Sequence, residues 1–166
     1  MTAPRLILPG VGAFGDAMRT LGERGLVEPI RRAVGRGVPF LGICIGMQLL
    51  CSQSEEFGRH QGFGFIPGTV TRLAEGDETR IPNIGWRSLN PTPGGFLSDL
   101  AAGTMAYFVH SYAPEIEGPA HVAATIGING KEVPAVIRRD NVLGYQFHPE
   151  KSGPAGLDLL CRFLQL

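Results

Sequence analysis

The sequence has no surplus of either charge, no long apolar run and few cysteines, and each shortage excludes a class of protein. Lys and Arg total 15 and Asp and Glu total 15, so nothing electrostatic draws the chain to nucleic acid or to an anionic membrane. Hydrophobic residues make up 43%, yet no run approaches the roughly 20 residues that cross a bilayer. The N-terminus lacks the charged-then-apolar pattern of a secretion signal. A soluble cytoplasmic protein is expected. Three cysteines, an odd number without a Cys-x-x-Cys pair, disfavour a disulfide framework and a zinc site, leaving at least one thiol to serve by its reactivity. No repeat, low-complexity tract or charge block divides the chain, and its 24 glycines and 13 prolines are spread as turn punctuation. At 166 residues this reads as one domain over residues 1–166.

What is present is α/β at the front and strand-rich behind. Arg5 to Leu8 is a short apolar run that ends in the turn Pro9-Gly10-Val11-Gly12. Val27 to Arg36 has helical character, with Pro29 tolerable in a first turn. Pro39 to Gly42 reads as a buried strand, and Ile45 to Leu50 supplies helix formers, so Gly42 to Gly46 is a tight strand-to-helix corner. Phe65 to Leu73, Met105 to Val109, Val122 to Ile128, Val133 to Arg138 and Val142 to Phe147 are strand-like. Asn129-Gly130 between two of them signals a hairpin. Leu157, Leu160, Cys161 and Leu164 fall at helical spacing and mark a closing amphipathic helix.

Gly42-Ile43-Cys44-Ile45-Gly46 has the logic of a nucleophile elbow, where small neighbours let a sharp turn push one reactive side chain clear of the backbone. Any of the cysteines could be a small buried hydrophobe. Cys51, inside the expected helix, and Cys161, on the closing helix's apolar stripe, fit that reading. Cys44 alone is bracketed by glycines. At a helix N-terminus its sulfur would be favoured as thiolate, and the amide of Ile45 would point at an oxyanion.

Gln146-Phe147-His148-Pro149-Glu150 ends an apolar run. In an extended segment residues two apart share a side, so His148 and Glu150 can be neighbours. A thiol nucleophile needs an imidazole to take and return a proton, and the imidazole needs a group to fix its tautomer. By itself His-Pro-Glu could equally be a solvated turn; the elbow upstream is what gives it a role. His60 and His121 read as surface positions.

Together these residues resemble the class I glutamine amidotransferases, whose hallmark is a Gly-x-Cys-x-Gly elbow followed far downstream by His-Pro-Glu. Leu8-Pro9-Gly10-Val11-Gly12-Ala13-Phe14, Pro82-Asn83-Ile84-Gly85-Trp86, Tyr107-Phe108-Val109-His110-Ser111-Tyr112 and His148-Pro149-Glu150-Lys151-Ser152 are similar in particular to the glutaminase subunits of imidazole glycerol phosphate synthase, in the same order and from residue 5 to the C-terminus. The resemblance implies a flavodoxin-like three-layer α/β fold with a mixed sheet, and a triad of Cys44, His148 and Glu150 that releases ammonia from L-glutamine through a glutamyl thioester. It implies an oxyanion site at Val11, Gly12 and Ile45, and a glutamine pocket of Gly12, Gln48, Glu56, His110, Ser111 and Tyr112. It further implies a resting state whose Val11 peptide must be turned by the partner's ligand, with no metal and no cofactor. The implied partner is a (β/α)8-barrel cyclase subunit that receives ammonia through a tunnel, with Asn83, Trp86 and Lys151 as interface candidates. Read singly, Trp86 could be core and Lys151 a solvated charge.

Two departures qualify the match. The family usually carries His and Asn around the Gly-Trp pair, where this chain has Asn83 and Arg87. Family members also place a strand, a helix and a second strand before the Leu-Pro-Gly-Val-Gly segment, so an N-terminally shortened fold is expected, with a parallel sheet short of one strand. Two rivals therefore stand beside the glutaminase reading: a catalytically weak docking subunit, and a paralogue that feeds ammonia to a synthase amidating a surface sugar.

Overall fold

The computed structural model describes residues 3–76, 79–101 and 103–166. A strand, β1 (Leu6–Gly10), leads into two helices, α1 (Phe14–Glu23) and α2 (Val27–Gly35), and then to β2 (Phe40–Cys44) and the one-turn helix α3 (Ile45–Gln48). Short strands β3 (Cys51–Ser54) and β4 (His60–Gln61) precede β5 (Ile66–Arg72), β6 (Asn83–Ser88) and β7 (Asn90–Pro91). The second half runs through β8 (Met105–His110), β9 (Tyr112–Ile116), β10 (Val122–Ile128), β11 (Lys131–Arg139) and β12 (Val142–Tyr145), and closes with α4 (Gly153–Leu164). Among the described residues no helix is long and apolar enough to cross a membrane.

A mixed six-stranded sheet, ordered β1-β2-β12-β11-β10-β7, organises the molecule. β1, β2 and β12 are parallel, and the remaining pairings are antiparallel. β2 and β12 are buried at every position, as a sheet covered on both faces requires. Their alternation still sorts side chains to opposite sides. Phe40, Ile137 and Val142 join Phe14, Leu21, Met47 and Val70 on the side of α1 to α3, whereas Leu41, Val136, Leu143 and Tyr145 join Phe108, Leu159 and Phe163 beneath β8 and α4. The second, four-stranded sheet is ordered β4-β3-β5-β9, and β6 pairs with β8 in a two-stranded ribbon. This is the layered α/β architecture expected, with β1 at the edge of the main sheet.

The Asn129-Gly130 hairpin forms as expected: both residues have positive φ, 49° and 72°, as the two-residue turn that joins β10 to β11 demands. Other local expectations change. The helix after the elbow stops at Gln48, so Cys51 lies in β3, although it is buried. Helix α1 has no clear signal because its capping residue, Ala13, provides no side-chain bond. The cap comes from afar, with the Glu56 carboxylate accepting the Phe14 N–H at 2.7 Å. Helix α4 forms, but it buries Gly156, Leu159 and Phe163, and leaves Leu157, Leu164 and Cys161 exposed. Two stripes one residue apart share the same spacing, and only the packed sheet selects between them.

Gly156 is what lets α4 seat on the turn Pro149–Lys151, since a Cβ there would lie 2.8 Å from the Pro149 carbonyl carbon. Gly156→Ala should therefore cost about 1–3 kcal/mol of stability through overpacking, read as a lower midpoint in urea denaturation.

Candidate active site

The elbow follows from three close approaches. A Cβ at Gly42 would overlap the Gly46 carbonyl, and one at Gly46 would overlap the Leu8 carbonyl of β1. A Cβ at Gly10 would overlap the Ile45 side chain. Glycine at all three positions lets β2, β1 and α3 press together, and the turn between them carries Cys44 at φ 56°, ψ −114°. That is a left-handed backbone on a residue with a side chain, which costs on the order of 1–3 kcal/mol and persists only where packing enforces it.

Cys44 is only 7% exposed. Burial pushes its thiol up to about 11, opposed by the Ile45 N–H and reinforced by the charge of Glu150. The expectation of a resting thiolate is thus corrected. α3 is a single turn with little dipole to offer, and desolvation outweighs it. The sulfur rests as a thiol, so a nearby base must take its proton.

The candidate base is His148, one residue beyond Phe147 at the end of the β12 segment. Because β12 runs parallel to β2, with Tyr145 beside Ile43, the chain leaves both strands on the same edge of the sheet, where parallel α/β sheets place their sites. Backbone bonds clamp His148. Its N–H donates to the Tyr107 carbonyl at 2.9 Å, and its carbonyl accepts from Ser152 Oγ at 2.7 Å. Ser152 Oγ in turn accepts the Tyr107 N–H at 2.9 Å. His148 Nδ1 lies 2.8 Å from Glu150 Oε1; the carboxylate accepts, so Nδ1 carries the hydrogen and Nε2 is the free lone pair. Nε2 is buried and has no hydrogen-bond partner among the described residues. The Glu150 contact arises differently from the extended pairing expected. Glu150 sits in the 3₁₀ turn Pro149–Lys151, which curls its carboxylate back onto the ring.

Val11, Gly12, Cys44, Ile45, Gln48, Glu56, His110, Ser111, Tyr112 and His148 line one cleft of about 360 Å³; Glu150 stands behind His148. Gly12 has φ 101°, a conformation that glycine adopts freely, and Val11 beside it is 81% exposed. The amide of Gln48 donates to the Tyr112 carbonyl at 2.9 Å and to Gln146 Oε1 at 3.1 Å. His110 is buried. Its Nδ1 donates to the Tyr112 carbonyl at 2.9 Å, so its Nε2 accepts from Asn83 Nδ2 at 3.0 Å, and burial holds the ring down to about 4. Another cleft, about 390 Å³ between β5, β9, β10 and β11, contains neither cysteine nor histidine.

One interface candidate is displaced. Asn83 is fully buried, with its carboxamide spent on His110 and on Arg87 Nε at 3.0 Å, so its side chain does not reach the surface. Trp86 is half exposed, and Lys151 is exposed with its ammonium 5.9 Å from the Tyr107 ring centre. Three further residues line the cleft that were not among the expected site residues, Phe57, Arg72 and Val109. Arg72 arrives through the pairing of β5 with β9, which sets it beside Tyr112, a non-local register without a local signal.

The buried thiol makes a testable statement about the chain alone. Alkylation by iodoacetamide at neutral pH should label exposed Cys161 before Cys44, and Cys44 labelling should climb as pH rises toward 11. Peptide mapping by mass spectrometry checks the order.

The family model described as glutamine amidotransferase class-I matches residues 2–165. The chain is 47% identical to imidazole glycerol phosphate synthase subunit HisH of Salinibacter ruber, over 99% of this chain and 78% of that protein. It is 47% identical to HisH of Syntrophotalea carbinolica, over 97% and 81%. It is 42% identical to HisH 1 of Legionella pneumophila, over 100% and 83%. Among solved structures, one described as a glutamine amidotransferase superposes with a TM-score of 0.70 at 23% identity, covering 98% of this chain and 78% of that one. At 23% identity that likeness speaks to the fold alone. By its matched domain and its relatives, the chain belongs to the class I glutamine amidotransferases, among the HisH subunits of imidazole glycerol phosphate synthase.

Proposed function

We propose that this chain is the glutaminase subunit of an imidazole glycerol phosphate synthase, hydrolysing L-glutamine to glutamate and ammonia for a cyclase subunit in histidine biosynthesis, in the cytoplasm. The observation that carries the reading is the juxtaposition of a strained, buried Cys44 with His148, whose Nδ1 is held by Glu150 and whose Nε2 is uncommitted. His148 Nε2 takes the proton of Cys44 as the sulfur attacks the carboxamide carbon. The amides of Ile45 and of the Val11–Gly12 turn stabilise the oxyanion, each such donor being worth about 3–4 kcal/mol. Collapse of the tetrahedral adduct expels ammonia, which takes the proton from His148. Water, deprotonated by the same nitrogen, then cleaves the thioester to glutamate and frees the thiol.

The substrate's three functional groups match the cleft. Glu56, with one oxygen on the Phe14 N–H, faces the ammonium, and Gln48 with the His110–Tyr112 segment supplies donors and acceptors for the rest. The Val11 peptide, between a packed Gly10 and an unencumbered Gly12, is the element whose orientation gates activity until the partner's ligand is bound.

The partner is a (β/α)8 barrel, and the ribbon β6–β8 is where it docks. Ile84 pairs with Val109 and Trp86 with Tyr107, and Ile84, Trp86, Met105 and Val109 are each between 36% and 58% exposed. An apolar patch rimmed by a cation such as Lys151 has the make-up of an interface. It adjoins the site directly, since Tyr107 is the residue that clamps His148. The HisH relatives at 42–47% identity favour this reading over the surface-sugar paralogue, and the intact Cys44–His148–Glu150 arrangement favours it over a purely docking subunit.

Glutamine hydrolysis by the chain with its cyclase partner tests the reading. Cys44→Ala should lose activity by about 10³-fold or more, and Glu150→Gln by about 10²–10⁴-fold through loss of the correct His148 tautomer. Full activity in Cys44→Ala would sink it. Trp86→Ala should weaken association with the barrel by about 1–3 kcal/mol in calorimetric titration, while leaving the thermal stability of the free chain nearly unchanged.

A further inference from the structure

A directional hydrogen-bond chain runs from β6 into the glutamine cleft. Arg87 donates through Nε to Asn83 Oδ1 at 3.0 Å, and through Nη2 to Thr79 Oγ1 at 2.9 Å. A guanidinium has only donors, so the end of the Asn83 carboxamide that faces it must be the oxygen. The amide nitrogen is thereby turned to His110, whose Nε2 at 3.0 Å can only accept from it. His110 Nδ1 then carries the hydrogen and donates to the Tyr112 carbonyl at 2.9 Å. That same carbonyl takes the Gln48 amide at 2.9 Å. Every bond has one permitted direction, and Arg87 sets it.

We propose that Arg87 is a positioning residue for the glutamine cleft: by holding the Asn83 carboxamide it keeps His110 neutral in the Nδ1–H form, and so fixes the Tyr112 carbonyl and Gln48 that form the cleft wall. The proposal rests on the glutaminase reading, and it concerns a residue whose side chain does not line the cleft. Its logic is steric as well as electrostatic. Protonating His110 would set its Nε2–H against the Asn83 amide hydrogens. Turning the carboxamide to relieve that clash would set the same hydrogens against Arg87. Either way two donors meet in a buried place, where an unmade hydrogen bond is costly.

Burial is the largest influence against a cation at His110, and Arg87 on β6 and His148 beyond β12 add to it, while the Tyr112 carbonyl bonded to Nδ1 works the other way. Cys44, Glu56, Arg72 and Tyr112 share the cleft wall with it, and Phe108 on its own strand covers it with a ring 5.7 Å away. Of these, Arg87 alone is bonded to the carboxamide that His110 accepts from.

The test uses the chain complexed with its cyclase partner for kinetics, and the ¹⁵N-histidine-labelled chain for NMR. In the wild type the ring nitrogens of His110 should show the Nδ1–H form and stay neutral down to a pH near 4. In Arg87→Met the carboxamide is free to turn and one neighbouring cation is gone while burial persists, so His110 should titrate above the wild-type value but still below the ordinary imidazole range. The KM for glutamine should rise by about tenfold with a much smaller change in kcat, the pattern of lost binding, and the deficit should deepen as pH falls through the new His110 pKa. Arg87→Lys, which keeps a donor to Asn83, should restore most of both. Asn83→Asp, which cannot donate, should hold a proton on His110 Nε2 near neutrality even with Arg87 in place, and keeps the test open if Arg87→Met does not fold.

An unchanged His110 tautomer and titration in Arg87→Met, or in Asn83→Asp where that variant stands in, overturns the proposal. So does a loss confined to kcat, or to affinity for the cyclase partner, with glutamine KM unaltered. If wild-type complex fails to hydrolyse glutamine, the glutaminase reading falls, while the NMR titrations still decide whether Arg87 sets the state of His110.

Discussion

The close approach of β2, α3 and β1 at the elbow is the constraint on which the rest depends. Cys44 occupies a left-handed backbone conformation, and what keeps it there is that Gly42, Gly46 and Gly10 have no side chains to hold the neighbouring backbone away. Because the backbone is pressed this tightly, the sulfur is buried and its thiol is pushed up. The strain that presents Cys44 therefore also keeps its thiol protonated, and a nucleophilic role for it requires a base whose position is equally well determined.

That position is set by sheet topology and then by a clamp. Parallel pairing of β12 with β2 brings the chain out beside the elbow. The bonds of His148 to Tyr107 and Ser152 then stop the backbone from drifting, and α4 seats against the same turn because Gly156 lets it. The strand that clamps His148 is also the one that presents Tyr107 and Val109 to the outside. β8 is thereby shared between the clamp on His148 and the exposed face of the β6–β8 ribbon, so a contact made on that face would bear on the element that holds His148.

Much of the site was legible because its chemistry depends on residue types at fixed short spacings. Gly-x-Cys-x-Gly is a steric requirement written locally, and His-x-Glu brings base and orienter within reach in either an extended segment or a 3₁₀ turn. What was not legible depended on burial or on distant pairing. The favoured ionisation of Cys44 reversed because a one-turn helix offers less than desolvation takes away. Asn83 looked like a surface residue beside Trp86, yet strand alternation sends it inward, where Arg87 and His110 consume its carboxamide. In α4 two equally spaced stripes competed, and packing chose Leu159 and Phe163 over Leu157 and Leu164.

The amino-acid sequence by itself determined the glycine-bracketed elbow, the strands β1 and β2 that flank it and the Asn129-Gly130 hairpin, and it named Cys44 and His148 as candidate nucleophile and base, since each follows from local sterics or from the bonding capacity of a side chain. Only the tertiary structure decided that Cys44 rests as a thiol, that Glu56 caps α1 across the fold, that Arg72 enters the cleft and that Asn83 belongs to a buried network rather than a surface. These are consequences of which groups lose water and which distant groups meet, and neither is specified until the sheets have closed on one another.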